Sequence, residues 1–192
     1  MAEEPLLAFL EVMRRLRADC PWKAEQTHRS LARYLLEETH ETLEAIDSGD
    51  DPHLREELGD LLLQIYFHAV IAEERGAFTL DDVARDITAK MHRRNPHVFG
   101  EPVDGGPTTA AEVNDAWEAI KASEKGRDAV TDGLPGSLPA LLYATKVLER
   151  GAAPIQDGRD DIGTRLLALV AEAVDTGVDA EQALRDAVRR LT

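Results

Sequence analysis

Positions 54 to 70 constrain this chain more than any other stretch. Leu54, Leu58, Leu61, Leu62, Ile65, Tyr66, Ala69 and Val70 recur there at helical spacing and leave the segment apolar around much of its girth. Such a helix has to be covered on several sides, by neighbours in its own chain or in another subunit. Glu57 and Asp60 nevertheless stand inside the run, three residues apart and so on one face. An unpaired carboxylate at Asp60, among Leu58, Leu61, Leu62, Leu63 and Ile65, is costly to bury. Something positive has to meet it, and hard divalent cations take carboxylate oxygens.

The rest of the chain also reads as helices. Leu6, Phe9, Leu10, Met13 and Leu16 form a stripe over 5–18, which Asp19-Cys20-Pro21-Trp22 is expected to break. Thr27 or Ser30 can cap a helix running to Ser48, with Leu31, Leu35, Leu36, Leu43 and Ile46 as its expected buried side. Gly49-Asp50-Asp51-Pro52 reads as the turn before the oily segment. Thr79 with Asp82 three residues on starts another helix carrying Val83, Ile87 and Met91, which ends at Asn95-Pro96. Residues 101–110 look like loop, 111–123 like helix and 125–138 like loop again, followed by helical segments at 139–150, 160–176 and 179–191. No segment alternates as a strand does, so the expected class is all-α. A length of 192 residues fits one domain with an appendage, and the Gly- and Pro-rich loop divides 1–128 from 129–192.

An internal echo crosses that boundary. Glu57-Leu58-Gly59-Asp60-Leu61-Leu62 returns as Asp161-Ile162-Gly163-Thr164-Arg165-Leu166-Leu167, with the first acid shortened and the second replaced. Such a copy keeps a helix and loses a metal site; chance similarity between Leu- and Ala-rich helices is the competing account.

A net charge of −15 argues against extended nucleic acid as a partner, because phosphates need a basic footprint. Small phosphorylated ligands remain open, since a bound metal reverses the local sign. The single cysteine, Cys20, fits a reducing cytoplasm. No basic-then-apolar leader opens the chain, and the oily run 61–72 is too short to span a bilayer. A soluble, cytoplasmic protein without a membrane partner is expected.

Glu38 and Glu41 form a second pair of acids three apart on the helix before the turn. Antiparallel packing of the two helices can converge Glu38, Glu41, Glu57 and Asp60 around one or two Mg²⁺ ions, with Glu37 beside them to orient a water. Exposed acids on amphipathic helices, or Asp60 paired with Lys or Arg, explain the same pattern. Lys90, Arg93 and Arg94 cluster at a helix end and Lys121 and Lys125 come later in the chain, as half of a phosphate site or as cations favoured by a helix C-terminus. Trp22 and Trp117 suit a core or a base pocket. The histidines lack zinc spacing, and there is no Gly-rich phosphate loop and no dinucleotide fingerprint.

The ordered set Cys20-Pro21-Trp22, Gln26-Thr27-His28, Leu35-Leu36-Glu37-Glu38, Glu41, Glu56-Glu57-Leu58-Gly59-Asp60, Arg93-Arg94-x-Pro96-His97-Val98-Phe99-Gly100 and Trp117-x-x-Ile120-Lys121-x-x-Glu124-Lys125 resembles the MazG family of nucleoside triphosphate pyrophosphohydrolases, over roughly 5–126. The resemblance implies a helical bundle completed by oligomerisation, as a dimer or a dimer of dimers. It implies Mg²⁺ on Glu38, Glu41, Glu57 and Asp60, with Glu37 in the preceding acidic position of the motif; Glu37 or Glu38 is expected to help deliver the nucleophilic water. It also implies hydrolysis of NTPs and dNTPs at the α–β bond to NMP and pyrophosphate, in cleaning of nucleotide pools. Trp22, Lys90, Arg93, Arg94, Trp117, Lys121 and Lys125 are the candidate substrate contacts. Lys23 departs from the acid usual after Cys-Pro-Trp, and His40 from an aromatic or aliphatic residue. The tail resembles a degenerate second MazG-like domain, opening at Leu138-Pro139-Ala140-Leu141 and lacking Glu-Glu-x-x-Glu. A non-catalytic nucleotide sensor or helical interaction module is the rival function.

Overall fold

The computed structural model describes residues 4–101, 106–124, 126, 128–152 and 161–191. Every regular element among them is a helix. The chain divides into two compact units, Met1–Gly106 and Pro107–Thr192.

The first unit holds α1 (Pro5–Asp19), α2 (Pro21–Glu25), α3 (His28–Ser48), α4 (Asp51–Glu74), α5 (Leu80–Arg94) and α6 (Pro96–Phe99). Pro21 does end α1, but it also occupies the first position of α2, where its missing N–H costs nothing. Thr27 and Ser30 cap α3 together: Ser30 N–H donates to Thr27 Oγ1 at 3.1 Å, and Thr27 N–H to Ser30 Oγ at 2.9 Å. Thr79 and Asp82 form the same reciprocal box on α5. Gly49 closes α3 with φ 69°, a conformation open to glycine, and Asp50 caps α4 by accepting from His53 N–H at 3.2 Å. Two residues thus reverse the chain, and α3 and α4 pack as an antiparallel hairpin.

Leu10, Met13, Leu31, Tyr66, Phe67, Val70 and Ile71 make the buried core, where α1 and α3 meet the second half of α4. Two arginines of α1 clamp the end of α4. Arg14 grips Glu73 through Nε at 3.1 Å and Nη2 at 2.7 Å; Arg17 grips Glu74 at 2.8 and 3.0 Å. Arg17 Nη1 also donates to the carbonyls of Lys23 and Gln26, which fixes α2.

The expected buried side of α3 is only partly right. Leu31 is buried, and Thr42 and Ala45 join it, but Leu35, Leu36 and Ile46 are exposed. On α4, Leu58 is 52% and Ile65 47% exposed. Within the first unit, the hairpin therefore carries exposed apolar side chains on both of its helices.

The second unit holds α7 (Ala110–Glu124), α8 (Ala140–Glu149), α9 (Ile162–Asp175) and α10 (Ala180–Arg189), the last three packed on one another. Asp161, counterpart of Glu57 in the echo, is the N-cap of α9 and accepts from Thr164 N–H at 2.8 Å. That bond holds its carboxyl below the usual range.

Candidate active site

The hairpin turn brings the acids together. One carboxylate oxygen each from Glu38, Glu41 and Glu57 lies within 4.8 Å of the others. Their settings differ: Glu57 is buried, Glu38 half-buried and Glu41 exposed. Glu57 Oε1 meets His53 Nε2 at 3.1 Å, while Oε2 is buried with no hydrogen-bond partner. Leaving such an oxygen without a donor or cation is costly. Glu38 reports the same crowding. Its carboxyl is held above the ordinary range, first by burial, then by the charge of Asp60, then by Glu41 and Glu57. Asp60 stands outside the tight trio, yet its charge is the first of the neighbouring charges that raise Glu38; Glu41 adds its own charge and a side-chain hydrogen bond. Among the described residues no Lys or Arg pairs with Asp60. Three converging oxygens, an orphaned one and no internal cation are the donor set a hard divalent ion fits.

His53 is a residue that sequence reading missed. Its i, i+4 spacing to Glu57 was the available signal, and one turn of α4 carries it onto that carboxylate.

Glu37 is exposed on α3, next to Glu38. Trp22, half exposed, meets Tyr34 edge-on with centroids 6.0 Å apart. Lys23 Nζ lies 5.5 Å from the Trp22 ring and 5.2 Å from Phe67, and the Arg33 guanidinium 4.4 Å from Tyr34. The departure at Lys23 thus makes a cation–π bridge between α2 and the core. Lys90, Arg93 and Arg94 lie on α5, which packs against α4.

Trp117 and Lys121 belong to α7 in the second unit, where Lys121 Nζ donates to both oxygens of Glu118 at 2.7 and 3.0 Å. Lys121 also lines a cavity of about 620 Å³ with Lys146, Arg150, Asp115, Glu118 and Glu149, so neither sign dominates its wall. Lys125 lies outside the described residues.

A model of the MazG nucleotide pyrophosphohydrolase domain matches residues 26–99, which contain all five acids as well as Lys90, Arg93 and Arg94. The nucleoside triphosphate pyrophosphohydrolase/pyrophosphatase MazG of Thermotoga maritima is 36% identical, across 95% of this chain and 80% of that protein. The chain belongs to the MazG family. Other relatives frame it. An uncharacterized 26.1 kDa protein of Streptomyces cacaoi is 46% identical over 95% of this chain and 77% of its own length. The nucleoside triphosphate pyrophosphohydrolase of Mycobacterium tuberculosis is 44% identical over 96% of this chain, which spans 55% of that longer protein. Among solved structures, a mazG-related protein from Thermotoga maritima superposes with a TM-score of 0.51 at 26% identity, over 60% of this chain and 97% of its own. No described helix is long and apolar enough to cross a membrane.

Proposed function

We propose that this MazG-family chain is an enzyme that hydrolyses nucleoside triphosphates, ribo and deoxy, at the α–β bond to the monophosphate and pyrophosphate. Clearing unwanted nucleotides from the pool is the role that suits this reaction. The observation that carries the reading is the convergence of Glu38, Glu41 and Glu57 within 4.8 Å, with an orphaned oxygen on Glu57. Glu38, Glu41, Glu57 and Asp60 are the residues that hold Mg²⁺, which when bound neutralises phosphate oxygens and lowers the pKa of a coordinated water.

The chain's own groups do the rest. Glu37, exposed beside Glu38, takes the proton of the attacking water, and Glu38 assists. The water oxygen bonds to the α-phosphorus, and pyrophosphate leaves with the electrons of the broken P–O bond. Lys90, Arg93 and Arg94 offset the phosphate charge. Trp22, exposed at the edge of Tyr34, offers a face on which any base can stack. His53 orients Glu57 through their 3.1 Å contact.

The assembly is a dimer or a dimer of dimers closed through the α3–α4 hairpin. Leu35, Leu36, Ile46, Leu58 and Ile65 are the support: they are apolar and exposed on the hairpin that carries the acids.

Purified protein with Mg²⁺ and a panel of NTPs and dNTPs tests the reaction. Monophosphate and pyrophosphate are expected; diphosphate and orthophosphate reject the bond choice. Asp60→Asn turning over as fast as the parent rejects the assigned centre.

A further inference from the structure

Among the described residues, three buried side-chain atoms have no hydrogen-bond partner, and all three are on α4: Glu57 Oε2, Gln64 Oε1 and His68 Nε2. At about 100° per residue, Glu57, Asp60, Gln64 and His68 fall within an arc of about 80°. They form one polar stripe that starts in the acid cluster and runs on past it.

Donor counting fixes how the far end of the stripe is wired. A guanidinium only donates, so Arg75 Nη2, 2.8 Å from His28 Nε2, makes that nitrogen an acceptor. The proton of the neutral His28 ring is then on Nδ1, and it goes to His68 Nδ1 at 2.7 Å. His68 therefore carries its own proton on Nε2, a buried donor without an acceptor. Gln64, only 3% exposed, holds a buried acceptor without a donor one turn away on the same face. A water that accepts from His68 Nε2–H and donates to Gln64 Oε1 satisfies both. The amide then has one favourable orientation. Its oxygen is turned to His68 and its NH2 group to Asp60, about 6 Å along the helix on the other side. The reverse sets the amide oxygen against the Asp60 carboxylate and N–H against N–H at His68. Asp60 is half-buried and has no Lys or Arg partner among the described residues. Carboxylates that hold a metal are ordinarily steadied by a hydrogen bond from outside the ligand set.

We propose that Gln64 is a positioning residue for Asp60, its amide oriented by the line Arg75, His28 and His68 through one bridging water. This rests on Asp60 being a metal ligand.

Mn²⁺, followed by loss of the paramagnetic resonance of the free ion, serves as the probe on the full-length chain. Gln64→Met keeps the volume and deletes both ends of the amide, and its Mn²⁺ dissociation constant is expected to rise about tenfold. His68→Leu, about two turns from Asp60, is expected to weaken Mn²⁺ as much, because the amide is no longer held. His68→Gln returns an amide N–H to the place of Nε2–H and keeps most of the affinity. The double variant of Gln64→Met and His68→Leu binds no worse than either single one, as members of one line do. Circular dichroism checks that helicity is unchanged. Parent-like Mn²⁺ affinity in either single variant overturns the proposal, as do losses that add. The parent chain supplies a reading that needs no substitution: nitrogen NMR of the imidazole rings at neutral pH is expected to show His28 with its proton on Nδ1 and His68 with its proton on Nε2. The opposite tautomers overturn the bridge. The expected tautomers in a parent that binds no Mn²⁺ reject the metal site itself, and the role of Gln64 falls with it.

Discussion

At Glu57 one oxygen faces His53 and the other is shut from water with nothing to bond. Stability alone would not choose such a residue beside Glu38 and Glu41. Glu57→Gln is therefore expected to split two properties. Turnover falls by about 100-fold or more, since even outer-shell groups at metal sites cost about 10–100-fold. The metal-free protein melts about 2–4 °C higher for each kcal/mol of repulsion relieved, read by scanning calorimetry. His28 and His68 form a second strained arrangement. Their rings stack 5.0 Å apart with Nδ1 atoms at 2.7 Å, and Arg75 donates to His28 Nε2 at 2.8 Å. Counting donors, His28 Nδ1–H donates to His68 Nδ1, which leaves the His68 Nε2–H buried and unpaired. A further proton on either ring sets N–H against N–H. Burial, and then the charge of His28, push the His68 pKa down. The unfolded chain takes that proton at about pH 6.5 and the folded one only lower, so the unfolded state binds more protons between. Stability is complete above about pH 6.5 and falls with pH below it. Urea midpoints across that range check this, and His68→Gln flattens the slope.

Among the elements, the helix starts were legible because capping chemistry is local: Thr27 with Ser30, and Thr79 with Asp82, need only their own turn. α2 was not, because Pro21 signals the end of one helix and the first residue of another with the same lost donor. The faces of α3 were half legible. Periodicity marks Leu31, Leu35, Leu36 and Ile46 as apolar, but only packing tells which of them the chain itself covers, and it covers Leu31. The two acidic pairs were readable as spacing, and the turn between them as Gly49-Asp50. Their convergence was a matter of how two helices rotate against each other. The same hairpin supports a prediction about assembly. Leu58→Glu places a charge on the open face without touching the core, so light scattering is expected to give the monomer mass with helicity intact. A mass unchanged from the parent removes α4 from the interface.

For the molecule as a whole, charge is the dominant fact. At −15, any cation screens some repulsion, so metal binding has to be separated from salt. Mg²⁺ in millimolar amounts is expected to raise the melting temperature well above NaCl of the same ionic strength, by about 2.7 kcal/mol of stabilisation at a hundred times its dissociation constant. Asp60→Asn should leave only the salt effect. The acids of the second unit show why a count of charges is insufficient: Asp161 occupies the echoed position, yet spends its oxygen on Thr164 N–H.

Gly49 and Asp50 are the entire link between α3 and α4. Surface connections usually accept extra residues. Here both residues are already committed, Gly49 as the C-cap of α3 and Asp50 as the N-cap of α4. Each residue added to a helix start swings the downstream chain by about 100° and 1.5 Å. An insertion taken up as helix at the start of α4 would dephase the hairpin and carry Glu57 off Glu38 and Glu41, leaving a sequence with every acid in place and no centre to bind with.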